Sequence, residues 1–254
     1  PCQPTGRPSL LHTPWDSTQG FADRRGIESV LYTCAQTVGT ALDTVGTQGT
    51  RKNAGTQFEN LIKAVLTAVG ISNSDATLKI PVPASEDVIR ALQQVPEVSS
   101  DVVQDDEGQE IVPDVDIEGG ALTFGPQVDT IVRPHAVVPI SVHSIDAREV
   151  LVSIKTTSKD RMAKIFVDHH ILQWLLGKDV RTVCLFLHDV QRSRMDVSPT
   201  FVAGMFLVDR RVFGDLSGIY YNDPPVRAES GSWSRRILPF RRFLLEDVWR
   251  QISG

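Results

Sequence analysis

Three side chains carry acid–base chemistry at positions where neighbouring elements can bring them together: Glu59, Asp129 and Lys155. Asp129 lies in the alternating run Gln127-Val128-Asp129-Thr130-Ile131-Val132, and Lys155 closes another, Val152-Ser153-Ile154-Lys155-Thr156-Thr157. Glu59 is expected in the first turn of a helix that opens near Phe58. A carboxylate on one strand and a lysine at the end of a neighbour can converge at one edge of a sheet. Such a set can hold a divalent metal through hard oxygen and orient a water for attack on a phosphodiester. The ammonium would contact the phosphate and the nucleophile as negative charge builds up.

The elements that must position these groups follow from periodicity. Residues 1–20 contain prolines at 1, 4, 8 and 14 and read as an irregular arm. Residues 26–42 repeat apolar side chains at helical spacing, and a Gly/Thr/Gln-rich connector spans 45–55. The next helix puts Phe58, Leu61, Ile62, Val65, Leu66 and Val69 on one face and stops near Gly70. Ser85, followed by Glu86 and Asp87, caps a short helix to about residue 94. Beyond it the period changes. Residues 121–132, 136–145 and 148–155 read as strands, 161–176 as a helix ending at Gly177, and 180–187 as a strand buried on both faces. Residues 201–208 read as a second such strand, and a short helix is expected at 244–251. This order predicts an α/β (α+β) fold, with a mixed central sheet flanked by helices.

One domain is expected, divided into a helical N-terminal part (1–95), an acidic loop (96–118), a core (119–210) and a basic, aromatic C-terminal arm (211–254). The 254 residues hold 41% hydrophobic and 22% charged side chains, ordinary globular composition, and no apolar run is long enough to span a membrane. The first eleven residues lack a basic-then-apolar signal pattern. Cys2, Cys34 and Cys184 are far apart and odd in number, which disfavours a disulfide framework or a zinc knuckle and makes a reducing cytoplasm the default.

The net charge of −5 argues at first against nucleic acid. Divided along the chain, it does not. Residues 151–254 hold 16 basic and 11 acidic side chains, net +5, which leaves residues 1–150 at net −10. Much of that acid lies between Glu97 and Glu118 with no Lys or Arg among it, the pattern of a solvated, self-repelling loop. A local basic surface, rather than the average, decides phosphate contacts.

Asp129 followed by Ser153-Ile154-Lys155 resembles the PD-(D/E)XK nuclease core, with serine in place of the central acid. Lys155-Thr156-Thr157-Ser158-Lys159-Asp160-Arg161 resembles the K-x-x-x-R-(D/E)-R block of type II restriction endonucleases that read CCGG, CCNGG or CCWGG. In that branch a Glu on the following helix replaces the missing acid; the matching position is Asp168, thirteen residues after Lys155. Gly55-Thr56-Gln57-Phe58-Glu59 is similar to the branch's Gly-x-x-Phe-Glu helix start. The resemblance covers roughly residues 55–190. The chain departs from the pattern in three places. Gln127-Val128 stands where the motif has proline, Asp168 is shorter than Glu, and Lys159 replaces arginine. A literal Pro-Asp occurs at Pro113-Asp114, with Asp116 nearby, and Asp114 is the alternative first acid if an insertion separates it from Lys155. Asp129 is preferred because an apolar strand follows it and a hairpin brings that strand beside Lys155.

The resemblance implies a Mg²⁺-dependent endonuclease that cleaves double-stranded DNA at a GC-rich palindrome containing CC/GG and leaves 5′-phosphate ends. Asp129 and Asp168 would hold the metal with Glu59 in support, and Lys155 would act at the phosphate. It also implies a homodimer or tetramer, a bacterial or archaeal cytoplasm, no membrane, and a DNA methyltransferase of matching specificity. Lys159, Asp160 and Arg161 would read bases. An arginine fork matches guanine O6 and N7, and an aspartate accepts from cytosine N4. The competing reading makes Asp160 a helix N-terminal acid favoured by the dipole, between two solvated cations. Two other functions share these residues: a repair or mobile-element nuclease with little sequence preference, and an inactive DNA-binding protein.

Other residues read as structural. His169 and His170 point about a hundred degrees apart on a helix and are poorly placed to share a ligand. Ser153 lacks the elbow of a serine nucleophile, and Gly119-Gly120 reads as a turn. Trp233, Arg235, Arg236, Phe240, Arg241 and Arg242 interleave aromatic and basic side chains, fitting a DNA-backbone grip as well as a surface arm or dimer contact.

Overall fold

A computed structural model of the chain describes residues 48–76, 78–88, 90, 115–118, 121–134, 143–158, 161–192, 197–199, 203–222, 224–225, 228 and 231–253. The helix expected at 26–42, most of the strand expected at 136–145, the acidic loop up to Asp114, and both Lys159 and Asp160 lie outside the described residues.

The elements, in chain order, begin with helix α1 (Gln48–Ala68), then strands β1 (Ser72–Asp75), β2 (Ile80–Pro81), β3 (Val115–Glu118), β4 (Ala121–Phe124), β5 (Thr130–Arg133) and β6 (Val150–Thr157). Helix α2 (Met162–Leu176) leads to β7 (Arg181–His188), β8 (Val190–Arg192) and β9 (Val197–Pro199). Helix α3 (Ala203–Phe213), β10 (Gly218–Tyr221) and β11 (Ile237–Pro239) follow. Helical turns Phe240–Arg242, Phe243–Asp247 and Val248–Ser253 close the chain, the middle one a π-turn.

Six strands form the central sheet in the order β1-β5-β6-β7-β10-β11. The β1/β5 and β5/β6 pairs are antiparallel, whereas β6/β7, β7/β10 and β10/β11 are parallel. This is the mixed sheet expected. β2, β4 and β3 make a separate three-stranded antiparallel sheet, so the stretch 121–132, read as one strand, is divided between two sheets. Residues 115–118, assigned to the acidic loop, are strand β3, and Asp116 pairs with Thr123 there.

Strand alternation sorts the core into two layers. Val150, Val152 and Ile154 of β6 and Val183, Leu185 and Leu187 of β7 pack against Phe58, Ile62 and Leu66 of α1 and against the C-terminal turns. Cys184 and Phe186 face the other way, into a cluster with Met162, Ile165 and Phe166 of α2 and Phe206 of α3. Leu151 shares that second side of the sheet with Ile131 and with Leu172 of α2. β7 is therefore buried on both faces, which accounts for its uninterrupted apolar sequence.

Three further expectations are corrected. The connector at 45–55 is helical from Gln48, so Glu59 lies in the middle of α1, not in its first turn, and no dipole argument applies to it. From residue 203 on, the strand expected at 201–208 is instead the start of α3. Only Phe206 and Asp209 of that helix are buried, while Met205, Leu207, Val208 and Val212 remain exposed. Apolar content alone resembled a two-sided strand, yet here it covers solvent-facing turns. The segment expected as a C-terminal arm is built into the core: β10 and β11 extend the sheet, and Leu238, Phe240, Phe243, Leu244 and Val248 pack under α1.

α1 ends where expected, at Gly70 with φ of 86°. Gly177 likewise ends α2 at φ 61°, a left-handed conformation that favours glycine.

Candidate active site

β6 sets the geometry. Val150, Val152 and Ile154 point toward α1, so Ser153 and Lys155 point to the opposite side, where α2 packs. β5 runs antiparallel beside it, with Thr130 opposite Val152. The N–H of Asp129 donates to the carbonyl of Val152 at 3.0 Å and carries the pairing one residue past the end of β5. The Asp129 carboxylate then folds back onto β6. Its Oδ2 accepts from the Ile154 N–H at 2.5 Å, and Lys155 Nζ donates to both oxygens at 3.0 Å. Their side chains are 17% and 16% exposed, respectively, so this charge-assisted pair is largely but not wholly sheltered from solvent.

Asp168 enters the same neighbourhood from α2 and is almost fully buried. Its Oδ2 accepts from the backbone N–H of Gln127 at 2.9 Å, two residues before Asp129. The carbonyl of Gln127 accepts from Ser153 Oγ at 2.8 Å. One residue's backbone is thus gripped from both sides, and it ties Asp168, Ser153 and the approach to Asp129 together. Asp168 Oδ1 accepts from Lys164 Nζ at 2.6 Å, one helical turn earlier on α2. Ser153, read as a small residue beside the site, has this definite task. Lys164 was not singled out, although its i,i+4 spacing to Asp168 is visible in the sequence. The contribution of Gln127 is made by its backbone and leaves no sequence signal.

Glu59 sits apart. It forms an ion pair with Lys63, which also donates to Asp75 of β1 at 2.6 Å. Burial works against the charge on Lys63, but the hydrogen bonds it donates to Asp75 and Glu59, with their negative charges, outweigh it and raise its pKa. Among the described residues no cluster of three or more His, Cys, Asp or Glu side chains is placed to hold a metal, so Glu59, Asp129 and Asp168 are not gathered into one set. Asp129 and Asp168 alone suit Mg²⁺, which binds through one or two carboxylates and keeps several waters. Both are hard-oxygen donors, and each already holds a cationic lysine at hydrogen-bond distance.

The histidines separate as the helix geometry requires. His169 is buried, with Nδ1 3.0 Å from Thr182 Oγ1, and burial followed by the neighbouring His170 lowers its pKa. His170 faces solvent, its ring near that of Phe213.

Among solved structures, the type IIP restriction endonuclease Kpn2I superposes with a TM-score of 0.58, over 93% of this chain and 67% of that one, at 17% identity. The chain has the restriction-endonuclease fold. A second structure, the complex of restriction endonuclease PspGI with substrate DNA, gives a TM-score of 0.47 over 90% of this chain and 74% of that one, at 10% identity. No family model and no curated sequence matches the chain.

In sequence, the Lys159-Asp160-Arg161 block lies between Lys155 and α2, and of its three residues Arg161 is described. Arg161 is the residue preceding α2, where its carbonyl accepts from Ile165 and the Ser158 carbonyl accepts from Met162, both at 3.2 Å. Among the described residues no helix is long and apolar enough to cross a membrane.

Proposed function

We propose that the chain is a Mg²⁺-dependent, sequence-specific DNA endonuclease of the type II restriction kind. The observation that carries this reading is the grip of Lys155 on both oxygens of Asp129 across the β5/β6 pair, with Asp168 strapped to the same backbone through Gln127. Asp129 and Asp168 would hold the metal, and Glu59 would support them once released from Lys63. Bound there, Mg²⁺ would neutralise charge on the scissile phosphate and lower the pKa of a water.

Lys155 places its ammonium at the phosphate and the attacking water, where it stabilises the growing negative charge. The water oxygen bonds to phosphorus, the bond to the 3′-oxygen breaks, and that oxygen leaves with a proton. The product end carries the 5′-phosphate. Lys159, Asp160 and Arg161 would read base edges of a GC-rich palindrome containing CC/GG. Because they begin four residues after Lys155 in sequence, reading and cutting would be mechanically linked. A palindrome is matched by a two-fold protein assembly, a homodimer or a tetramer of two dimers. Such an enzyme would work in a bacterial or archaeal cytoplasm beside a methyltransferase of matching specificity.

Incubation with phage DNA and Mg²⁺ tests the reading. Discrete bands that vanish with EDTA are expected. A smear would indicate a nuclease without sequence preference, and specific binding without cutting would indicate an inactive DNA-binding protein; either outcome overturns it. An Arg161→Ala variant with unchanged bands and rate would remove Arg161 from the base-reading set.

A further inference from the structure

Two of the contacts that hold Asp168 are unlike. Its Oδ2 is fixed by the Gln127 backbone N–H at 2.9 Å, and Ser153 Oγ fixes the carbonyl of the same residue. Moving that oxygen would mean moving the chain segment that leads into β5. Its Oδ1 is held by Lys164 Nζ at 2.6 Å. The Lys164 side chain is 28% exposed, whereas that of Asp168 is 4% exposed. A lysine tip on a flexible four-carbon stem, partly in water, can swing away where a strand backbone cannot. A carboxylate this buried also needs a cation, because an uncompensated buried charge is strongly unfavourable.

From this asymmetry we infer that Lys164 is a resident counter-cation of Asp168, and that a divalent cation binding at Asp168 displaces it. The inference rests on the metal-dependent reading above. Lys164 then differs from Lys155, whose ammonium spans both oxygens of Asp129 and has its task at the phosphate. Lys164 holds Asp168 correctly turned while no metal is bound, and it competes with the metal for Oδ1. Metal affinity is therefore weaker than the two carboxylates alone would give.

The test uses the full chain without DNA, comparing wild type with Lys164→Met, Lys164→Gln and Asp168→Asn. Mn²⁺ binding is followed by electron paramagnetic resonance, and melting temperature is measured with and without MgCl₂. Lys164→Met should bind Mn²⁺ about tenfold more tightly, the loss of one competing charge-assisted contact. It should melt lower than wild type without metal and gain more from Mg²⁺. Lys164→Gln should fall between, and it carries the test if the Met variant does not fold. Asp168→Asn should lose the tight binding. If both Lys164 variants bind Mn²⁺ as wild type does and melt equally lower with and without Mg²⁺, the pair is only a structural ion pair and the inference fails. Weaker binding by the Lys164 variants would overturn it as well, making Lys164 a residue that positions Asp168. If wild type neither binds Mn²⁺ nor gains stability from Mg²⁺, the metal-dependent reading itself falls, and the inference with it.

Discussion

Asp129 and Asp168, between β5, β6 and α2, are held by lysines, whereas Glu149 and Asp247, elsewhere around the same sheet, are held by arginines. Arg133 lies 3.1 Å from Glu149 with both side chains under a tenth exposed, and its other branch donates to Ser74 Oγ at 3.0 Å, joining β1, β5 and the start of β6. Glu149 also accepts from the Asp146 N–H at 2.8 Å. Asp247 gathers the Tyr220 hydroxyl at 2.9 Å, Arg242 at 3.1 Å and Arg250 at 3.0 Å, and so ties the C-terminal turns to β10. A guanidinium spreads five donors over a rigid fork and can satisfy several partners at once; an ammonium is a compact point charge on a flexible stem. The arginine pairs suit permanent fastening. The lysine pairs suit charges that must be handed to something else, such as a phosphate or a metal. Glu59 with Lys63 belongs to the second kind.

Substitutions that separate activity from stability would break this contrast or sharpen it. Lys155→Ala should lower the cleavage rate by about 10³-fold, the scale for removing a group that stabilises transition-state charge. Its melting temperature should fall less than that of Glu149→Ala, because Lys155 and Asp129 keep more solvent exposure than Arg133 and Glu149. Initial rates on plasmid DNA, with calorimetry on the same preparation, check both halves. Glu149→Ala should do the reverse. It strands Arg133 at 7% side-chain exposure and should cost about 3–5 kcal/mol in urea unfolding. Cleavage per folded molecule should be retained. A Glu149 variant that folds normally but cannot cut would put the arginine pair in the site and erase the distinction.

The sequence made the meeting of Asp129 and Lys155 legible and left the wiring around them hidden. Asp129 and Lys155 could be placed because strand alternation is a period-two signal, and β5 and β6 are close in sequence and antiparallel. β7 could be recognised because two-sided burial leaves an unbroken apolar run. That same signal misled at 201–208, where Met205, Leu207 and Val208 turn to solvent on a helix. The clamp on Gln127 could not be anticipated, since a backbone N–H and a carbonyl are common to nearly every residue type. The helical start at Gln48 was obscured by glycines and threonines, which have low intrinsic helix propensity. Its consequence reached the site, because it moved Glu59 from a helix start to a helix middle, one turn before Lys63.

The arginine cluster also contains a neutral contributor whose removal should cost less. Tyr220 is buried, and burial, followed by the charge of Asp247, pushes its hydroxyl pKa far up, so it stays a donor to that carboxylate. Tyr220→Phe removes one hydrogen bond to a charged group and should cost about 1.5–2 kcal/mol in urea unfolding, with cleavage per folded molecule unchanged.

Asp209 on α3 gives the smallest and most diagnostic effect, because it is a buried carboxylate of neither kind. Its Oδ2 has no hydrogen-bond partner among the described residues, and burial pushes its carboxyl pKa up from the ordinary 3.8. The sign follows from linkage. Below the ordinary value both folded and unfolded chains hold the proton, and Asp209 makes no difference. As pH rises past that value the unfolded chain releases its proton first, so the folded state loses stability until its own carboxyl ionises, and the loss is constant above that point. Asp209→Ala removes this penalty, so the variant should gain up to about 1 kcal/mol relative to wild type between pH 3.5 and pH 7. Differences in helix propensity and packing are the same at both pH values and cancel in that comparison. Urea unfolding of both proteins at the two pH values measures it. If the variant instead lost ground at neutral pH, Asp209 would have a cation partner, and it would join either the lysine-held or the arginine-held set.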